Sequence, residues 1–321
     1  MDNKIFFRCR QGEYTECCLD HPRPPKPELT VGSLLPGTVY MLYPMVDFSI
    51  MLLYYTKRAL TNQGDVLRAI EGIIRRLSER AKCRFFEGMP TAALDAFIIF
   101  ESNNYNQTSL HRRTGFPSYS WVGWKGGIFI NHVEIDNDWL RTNTWIIWYN
   151  RSPSGITNLV WDPVANESFP TDDPEYVGYR ERRPFGSLPA LGIKTSRTAP
   201  TEDLTFDMPH LTYPLLQFWT LAVFYKIGGI DVFRGCGDAL AESGTVCGSI
   251  CLDGFEETTF FDSRGILEFI LLSKRGTDEY NVMLLEWDEG VAERRGIGTI
   301  KLWAVGMSFP PGPVWKEILL A

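Results

Sequence analysis

Histidine is scarce. His21, His111, His132 and His210 are the only four in 321 residues. None stands in a local motif that supplies a general base, so Ser-His and Cys-His arrangements have few candidates. The chain has no P-loop, dinucleotide glycine fingerprint, HExxH or GxSxG. It has no long apolar run either. The longest, residues 39–55, is broken by Pro44, Asp47 and Ser49 and falls short of the roughly 20 residues that span a bilayer. The opening residues carry charges where a signal peptide needs an apolar core. Basic residues are not in excess: the net charge is −7, a poor balance for binding nucleic acid, which depends on Lys and Arg neutralising phosphate. Internal repeats and low-complexity runs are lacking too. These absences predict a cytoplasmic protein with no membrane and no nucleic-acid partner. Seven cysteines, odd in number and irregular in spacing, then predict free thiols throughout. The sequons at Asn106, Asn150 and Asn166 carry no information, because glycosylation needs secretion.

What is present is a foldable composition: 44% apolar, 22% charged and 13% aromatic, with ten tryptophans, enough for a sizeable and β-rich core. Three regions are expected. Residues 1–27 hold a short strand at Ile5 to Arg8 and a proline-rich connector, HPRPPKPEL. Residues 28–112 are helical. Pro44 opens a helix running to about Leu60. Asp65 caps a second, whose Val66, Ile70, Ile73, Ile74, Leu77 and Ala81 form one apolar stripe. Glu71 and Arg75 pair on its wet side, and the basic run from Arg75 to Arg84 reads as a solvated face. Pro90 opens a third helix from Thr91 to Phe100. From residue 113 to 321 the texture is β: short aromatic and branched segments separated by Gly, Asn, Pro and Ser. A long irregular excursion at about 163–212 interrupts it. The length of PLLQFWTLAVFYKI leaves helix or strand open, with its aromatic and branched content favouring strand; Ser249–Leu252 and Ile266–Ser273 are strands, and Trp315–Leu320 closes the chain. The sharpest signal is Asn281 to Ile300, which reads as a β-hairpin with a three-residue loop, Asp288-Glu289-Gly290, pairing Trp287 with Val291. That register sets Glu286 diagonal to Arg294. The fold class predicted is α+β: an N-terminal helical segment packed on a larger, mostly antiparallel and sandwich-like β region.

The search for chemistry returns clusters rather than constellations. Cys9, Cys17, Cys18 and His21 match no usual metal spacing, and Cys236, Cys247 and Cys251 lack a fourth ligand. Neither group is expected to bind metal. Trp121, Trp124, Trp145, Trp148 and Trp161 suggest a sugar-stacking platform, though aromatics alternating in strands more often form core. Glu256, Glu257, Asp262 and Arg264 in EETTFFDSRG are the densest polar cluster. General acid–base work is conceivable there, but a loop whose charges satisfy one another is the better reading. No catalytic, cofactor-binding or metal residue is assigned.

Several motifs in one order carry a resemblance. GFPSYSWVGWKGG (residues 115–127) resembles the "FPSWSWxGW" signature found downstream of the HET domain in fungal heterokaryon-incompatibility proteins, with Tyr119 where tryptophan is usual. YTKRALTNQGDVLRAIEGI and GMPTAALDAFIIF are similar to helical elements of that family. YPLLQFWTLAVFYKI, EETTFFDSRG, EYNVMLLEWDEGVAERRGIGTI and FPPGPVWKEILL are similar to its C-terminal region. In that family the cell-death activity is attributed to an N-terminal HET domain with a TIR-like fold. IFFRCRQGEYTE here resembles the segment just beyond that domain's last motif. The resemblance therefore implies the region C-terminal to the HET domain, without its own effector: a non-enzymatic interaction or regulatory region in non-self recognition, with protein partners and no cofactor. The alternatives are a glycan-binding β-sandwich and an enzyme using the Glu256–Arg264 loop.

Overall fold

The computed structural model describes residues 6–9, 12–15, 44–81, 83–102, 110–131, 135, 137–160, 199–201, 211–231, 234–254 and 265–321. The chain divides into two compact units, Met1–Tyr43 and Pro44–Ala321. In the first, β1 (Phe6–Cys9) pairs antiparallel with β2 (Gly12–Thr15).

The second unit opens with α1 (Pro44–Tyr55), and Pro44 stands in the first turn, where its missing N–H costs nothing. The helix stops at Tyr55, short of the predicted Leu60. Two 3-10 turns, Gln63–Asp65 and Arg68–Ile70, precede α2 (Glu71–Ala81). Asn62, not Asp65, caps this stretch, its side chain accepting from the Gly64 amide. Of the apolar stripe, Val66, Ile70, Leu77 and Ala81 are buried, while Ile73 and Ile74 are half-buried. On the wet side Arg75 pairs with Glu79 rather than Glu71, at 3.6 Å. Next comes a tight hairpin of β3 (Phe85–Phe86) and β4 (Met89–Pro90). The expected third helix shrinks to a 3-10 turn, Thr91–Ala93, and α3 (Leu94–Phe97). Residues 92–94 and 96–100 are buried throughout, so this segment is core all round rather than amphipathic. Phe48 of α1 packs edge-on to Phe85 and stacks on Phe97.

From Glu101 to Leu159 the chain forms strand fragments, two of them within the stretch expected to be helical and the rest where longer strands were expected from residue 113. They are β5 (Glu101–Ser102), β6 (His111–Arg112), β7 (Trp124–Lys125), β8 (Ile128–Phe129), β9 (Tyr149–Arg151) and β10 (Thr157–Leu159), with α4 (Asn137–Thr142) between β8 and β9. Trp121–Gly123 is a 3-10 turn. Aromatic, branched composition predicts strands here, but within residues 113–124 several carbonyls are taken by arginine and tryptophan side chains instead of by a ladder.

The large sheet carries the rest. It comprises β9, β10 and β11 (Leu215–Asp231), β12 (Cys236–Leu240), β13 (Val246–Leu252), β14 (Leu267–Arg275), β15 (Glu279–Asp288), β16 (Val291–Lys301) and β17 (Val314–Leu320). The class is α+β with a mostly antiparallel β region, as the sequence predicts. The strands share one nine-stranded sheet whose pairing returns on itself: β11–β12–β13–β16–β15–β14 and back to β11. β17 runs along β11 and touches β16 in a single parallel pair, Ala292 with Leu320. Register places Val223, Phe269 and Leu284 on one face. Ala222, Ile270, Met283 and Ile297 lie on the other. All seven are buried. A sheet covered on both faces reads as near-continuous apolar runs, which is why PLLQFWTLAVFYKI shows no alternation.

The β15–β16 hairpin corrects the predicted register by one residue. Asp288 pairs with Val291 and Trp287 with Ala292. The loop is therefore two residues, Glu289 and Gly290, both at positive φ (47° and 88°), the conformation of a type I′ turn, whose twist matches the strands. Glu286 then faces Glu293. A bulge between Leu284 and Leu285 leaves Arg295 as the extra residue.

Candidate functional site

The GFPSYSWVGW segment sits where α1, the β3–β4 turn, β16 and β17 converge, and every polar side chain in it is committed to that junction. Glu87 and Gly88, at φ 45° and 77°, turn β3 into β4 and aim two carbonyls at the segment. Ser120 donates its hydroxyl to the Glu87 oxygen at 2.6 Å, and the Trp121 indole N–H donates to the Gly88 oxygen at 2.8 Å. Gly88 is required twice. Its φ is one that L side chains rarely adopt, and a Cβ there would stand 2.9–3.0 Å from Val122, Leu67 and Trp121. Trp124 donates to the Ser118 carbonyl at 2.7 Å and Tyr119 to the Pro214 carbonyl at 2.7 Å. The Tyr119 ring stacks on Phe86, and burial pushes its hydroxyl well above the usual tyrosine range. Ser118 bonds the Ala321 oxygen through both its amide and its hydroxyl.

Two adjacent arginines hold the segment from below. Arg112 donates to the carbonyls of Arg113, Phe116 and Gly123, and its guanidinium lies 5.6 Å from the Trp124 ring centroid. Arg113 donates to the carbonyls of Val122 and Trp124 at 2.6 and 2.8 Å, and to Gln63. Burial lowers its pKa. A planar guanidinium with several fixed donors suits this collection of carbonyls, which a lysine would not match.

A buried ion pair lies next to it. Arg294 is fully buried and Asp253 nearly so. Arg294 Nε and Nη2 meet Asp253 Oδ2 and Oδ1 at 2.7 and 3.0 Å. Its remaining donors reach the carbonyls of Ile98 (2.8 Å) and Phe100 (2.5 Å). The guanidinium carbon lies 3.5 Å from the Phe100 ring centroid. The Arg294 amide donates to Ser118 Oγ at 2.9 Å. This one residue thus links β16, the strand β13 end, the 98–100 segment and the signature. Glu101 borders the pair. Burial raises its carboxyl pKa, opposed by Arg275 and Arg294 and reinforced by Asp253. The diagonal partner predicted for Glu286 was Arg294. The one-residue slip turns Arg294 inward and gives that role to Arg295, whose Nε donates to Glu286 at 2.6 Å.

Chemically the junction is a clamp. The polar side-chain atoms of Ser118, Tyr119, Ser120, Trp121 and Trp124 go to backbone oxygens, and burial raises the pKa of the neighbouring Glu87 carboxyl. Four of the five tryptophans considered for a sugar-stacking platform are core, the reading favoured from sequence: Trp121, Trp124, Trp145 and Trp148 are all 3% exposed or less, so none of these offers an open face for a sugar. Trp161 and the Glu256–Arg264 loop lie outside the described residues, as do Cys17, Cys18, His21, His132 and His210. Cys9 ends β1, and His111 is exposed on β6. Among the described residues no group of three or more His, Cys, Asp or Glu could hold a metal ion, and no helix is long and apolar enough to cross a membrane.

The cysteine expectation is corrected. Cys236 and Cys251 are direct partners on β12 and β13 and form a disulfide. Strand pairing brings their Cα atoms to 4.1 Å, a proximity that spacing in the chain does not reveal. Cys247, considered with them as a ligand set, is buried, points its thiol at the Ala239 carbonyl, and has its pKa pushed up by burial to about 11. Compared with known protein families, with curated proteins and with solved structures, the chain matches none.

Proposed function

We propose that this chain is a non-enzymatic interaction or regulatory region of a heterokaryon-incompatibility (HET) family protein, serving fungal non-self recognition through a protein partner. The observation that carries the reading is the use to which the signature residues are put. Ser118, Tyr119, Ser120, Trp121 and Trp124 each spend their polar atom on a backbone oxygen. A motif used this way is architectural, whereas a catalytic site needs a base, an orienting partner and charge stabilisers left free for substrate. The motif order along the chain supplies the family.

The test is expression in a fungal host that lacks other HET proteins. The chain alone causes no cell death, and the purified chain does not turn over NAD. Co-expressed with a HET-domain effector, it changes the extent of death that the effector causes. NAD turnover above a buffer blank, abolished by a substitution in this chain, overturns the proposal. So does an effector whose killing is the same with and without it.

A further inference from the structure

We propose that Cys236–Cys251 is a reversible thiol–disulfide switch, opened by a protein dithiol reductant, that controls how firmly the neighbouring Asp253–Arg294 clamp is held. The bond joins two residues directly opposite each other at the end of the β12–β13 ladder. Both cysteines are partly exposed, so a reductant's thiolate can approach. Among the cysteines whose side chains are described, Cys83 and Cys247 are buried free thiols, and Cys236 and Cys251 are the accessible pair.

Three consecutive residues connect the bond to the clamp. Cys251 carries the sulfur. The Leu252 amide donates to the Gly235 carbonyl at 2.8 Å, one residue before Cys236. The Asp253 amide donates to the Arg295 carbonyl at 3.0 Å, while the Asp253 carboxylate holds Arg294. The crosslink therefore pins the strand end whose next residues position the Asp253 carboxylate on a fully buried guanidinium. An unpaired buried charge is costly, so loosening Asp253 is felt at Ile98, Phe100 and Ser118, which share Arg294.

The exchange balances within thiol chemistry. A thiolate of the reductant attacks Sγ of one cysteine and forms a mixed disulfide, releasing the other cysteine as a thiolate that takes up a proton. The reductant's second thiol, as its thiolate, then attacks the reductant's own sulfur in the mixed disulfide, closing the reductant's disulfide and releasing the remaining protein cysteine as a thiolate that takes up a proton. Two electrons and two protons pass to Cys236 and Cys251. Exchange with an oxidised dithiol protein reverses the step.

The test uses the full chain under native conditions. It is treated with reduced thioredoxin, alkylated, and mapped by mass spectrometry. Cys236 and Cys251 gain label together while Cys83 and Cys247 remain unlabelled, and oxidised dithiol protein restores the bond. Hydrogen exchange is then compared between the two forms. In the reduced form, peptides covering residues 250–254 and 292–295 exchange at least tenfold faster, with peptides of α2 unchanged. The double variant Cys236→Ser/Cys251→Ser reproduces the reduced pattern. Because reduction itself is the primary measurement, failure of the variant to fold leaves the proposal testable. Labelling of the pair only after denaturation overturns it, as does a purely structural bond whose reduction leaves exchange at those peptides unchanged. Alkylation of both cysteines in untreated, oxidised protein also overturns it.

Discussion

Arg294 and Asp253, 41 residues apart in the chain, meet through two hydrogen bonds of 2.7 and 3.0 Å with essentially no access to water. The arginine is buried with its charge paired and its other N–H groups on carbonyls, the condition under which a buried guanidinium is tolerable. Replacing Asp253 with alanine leaves that charge uncompensated and is expected to cost about 3–5 kcal/mol. Replacing both partners, Asp253→Ala with Arg294→Met, is expected to cost less than Asp253→Ala alone. Urea unfolding of the two variants checks the order, and equal losses would count against a paired buried charge.

Gly88 and Gly115 separate two kinds of glycine requirement within the same region. Both sit at positive φ, 77° and 83°, but a Cβ at Gly115 meets nothing within 4 Å. Gly115→Ala is expected to cost about 1 kcal/mol from backbone strain. Gly88→Ala adds overpacking against Val122, Leu67 and Trp121 and is expected to cost about 1–3 kcal/mol more. Thermal melts of the two variants decide it, and the reverse order would remove the β3–β4 turn from its proposed role.

Glu101 predicts a pH signature. Burial raises its folded pKa above the unfolded value. Its protonated form is therefore favoured in the folded state, and that contribution is fully present below the unfolded glutamate pKa. It is lost as pH rises through the raised folded value. Glu101→Gln removes this dependence. The variant should gain stability relative to the parent as pH climbs from the usual glutamate range towards neutrality. A parent-minus-variant difference that is flat with pH, or of opposite slope, contradicts the assignment.

Cys83 is buried, with its thiol pushed up to about 12 by that burial. Thiolate is the reactive form, so iodoacetamide at neutral pH should leave Cys83 unmodified until the fold opens. Site-resolved labelling along a urea series should show its modification tracking global unfolding. Rapid labelling in buffer would contradict its place in the core.

How much of this was legible in the chain differs by element. The hairpin at Asn281–Ile300 and β14 were readable because a run of apolar residues must be buried wherever it lands; the burial of β11 was readable for the same reason, but its length left helix or strand open. The helical stripe from Val66 to Ala81 was readable because its period is local. The junction was not. Its segment has strand composition, yet its backbone is held by Arg112 and Arg113, whose side-chain bonds follow no periodic pattern, and it is anchored to a turn at Glu87–Gly88, 33 residues back in the chain. The glycine and aromatic punctuation around Trp121 was the signal present, and it indicated importance without geometry.

The one-residue slip in the hairpin shows where the division falls. Sequence alone determined that Glu286, Glu293, Arg294 and Arg295 lie near a β-turn, and that the flanking residues are apolar. Tertiary structure decided which arginine faces water. A two-residue turn with a bulge after Leu284 places Arg295 on Glu286 and carries Arg294 to Asp253. Side chains alternate with a period of two, so a single-residue shift exchanges the faces. The same holds for Cys236 and Cys251: composition supplied the thiols, and the register of β12 on β13 alone set them opposite each other.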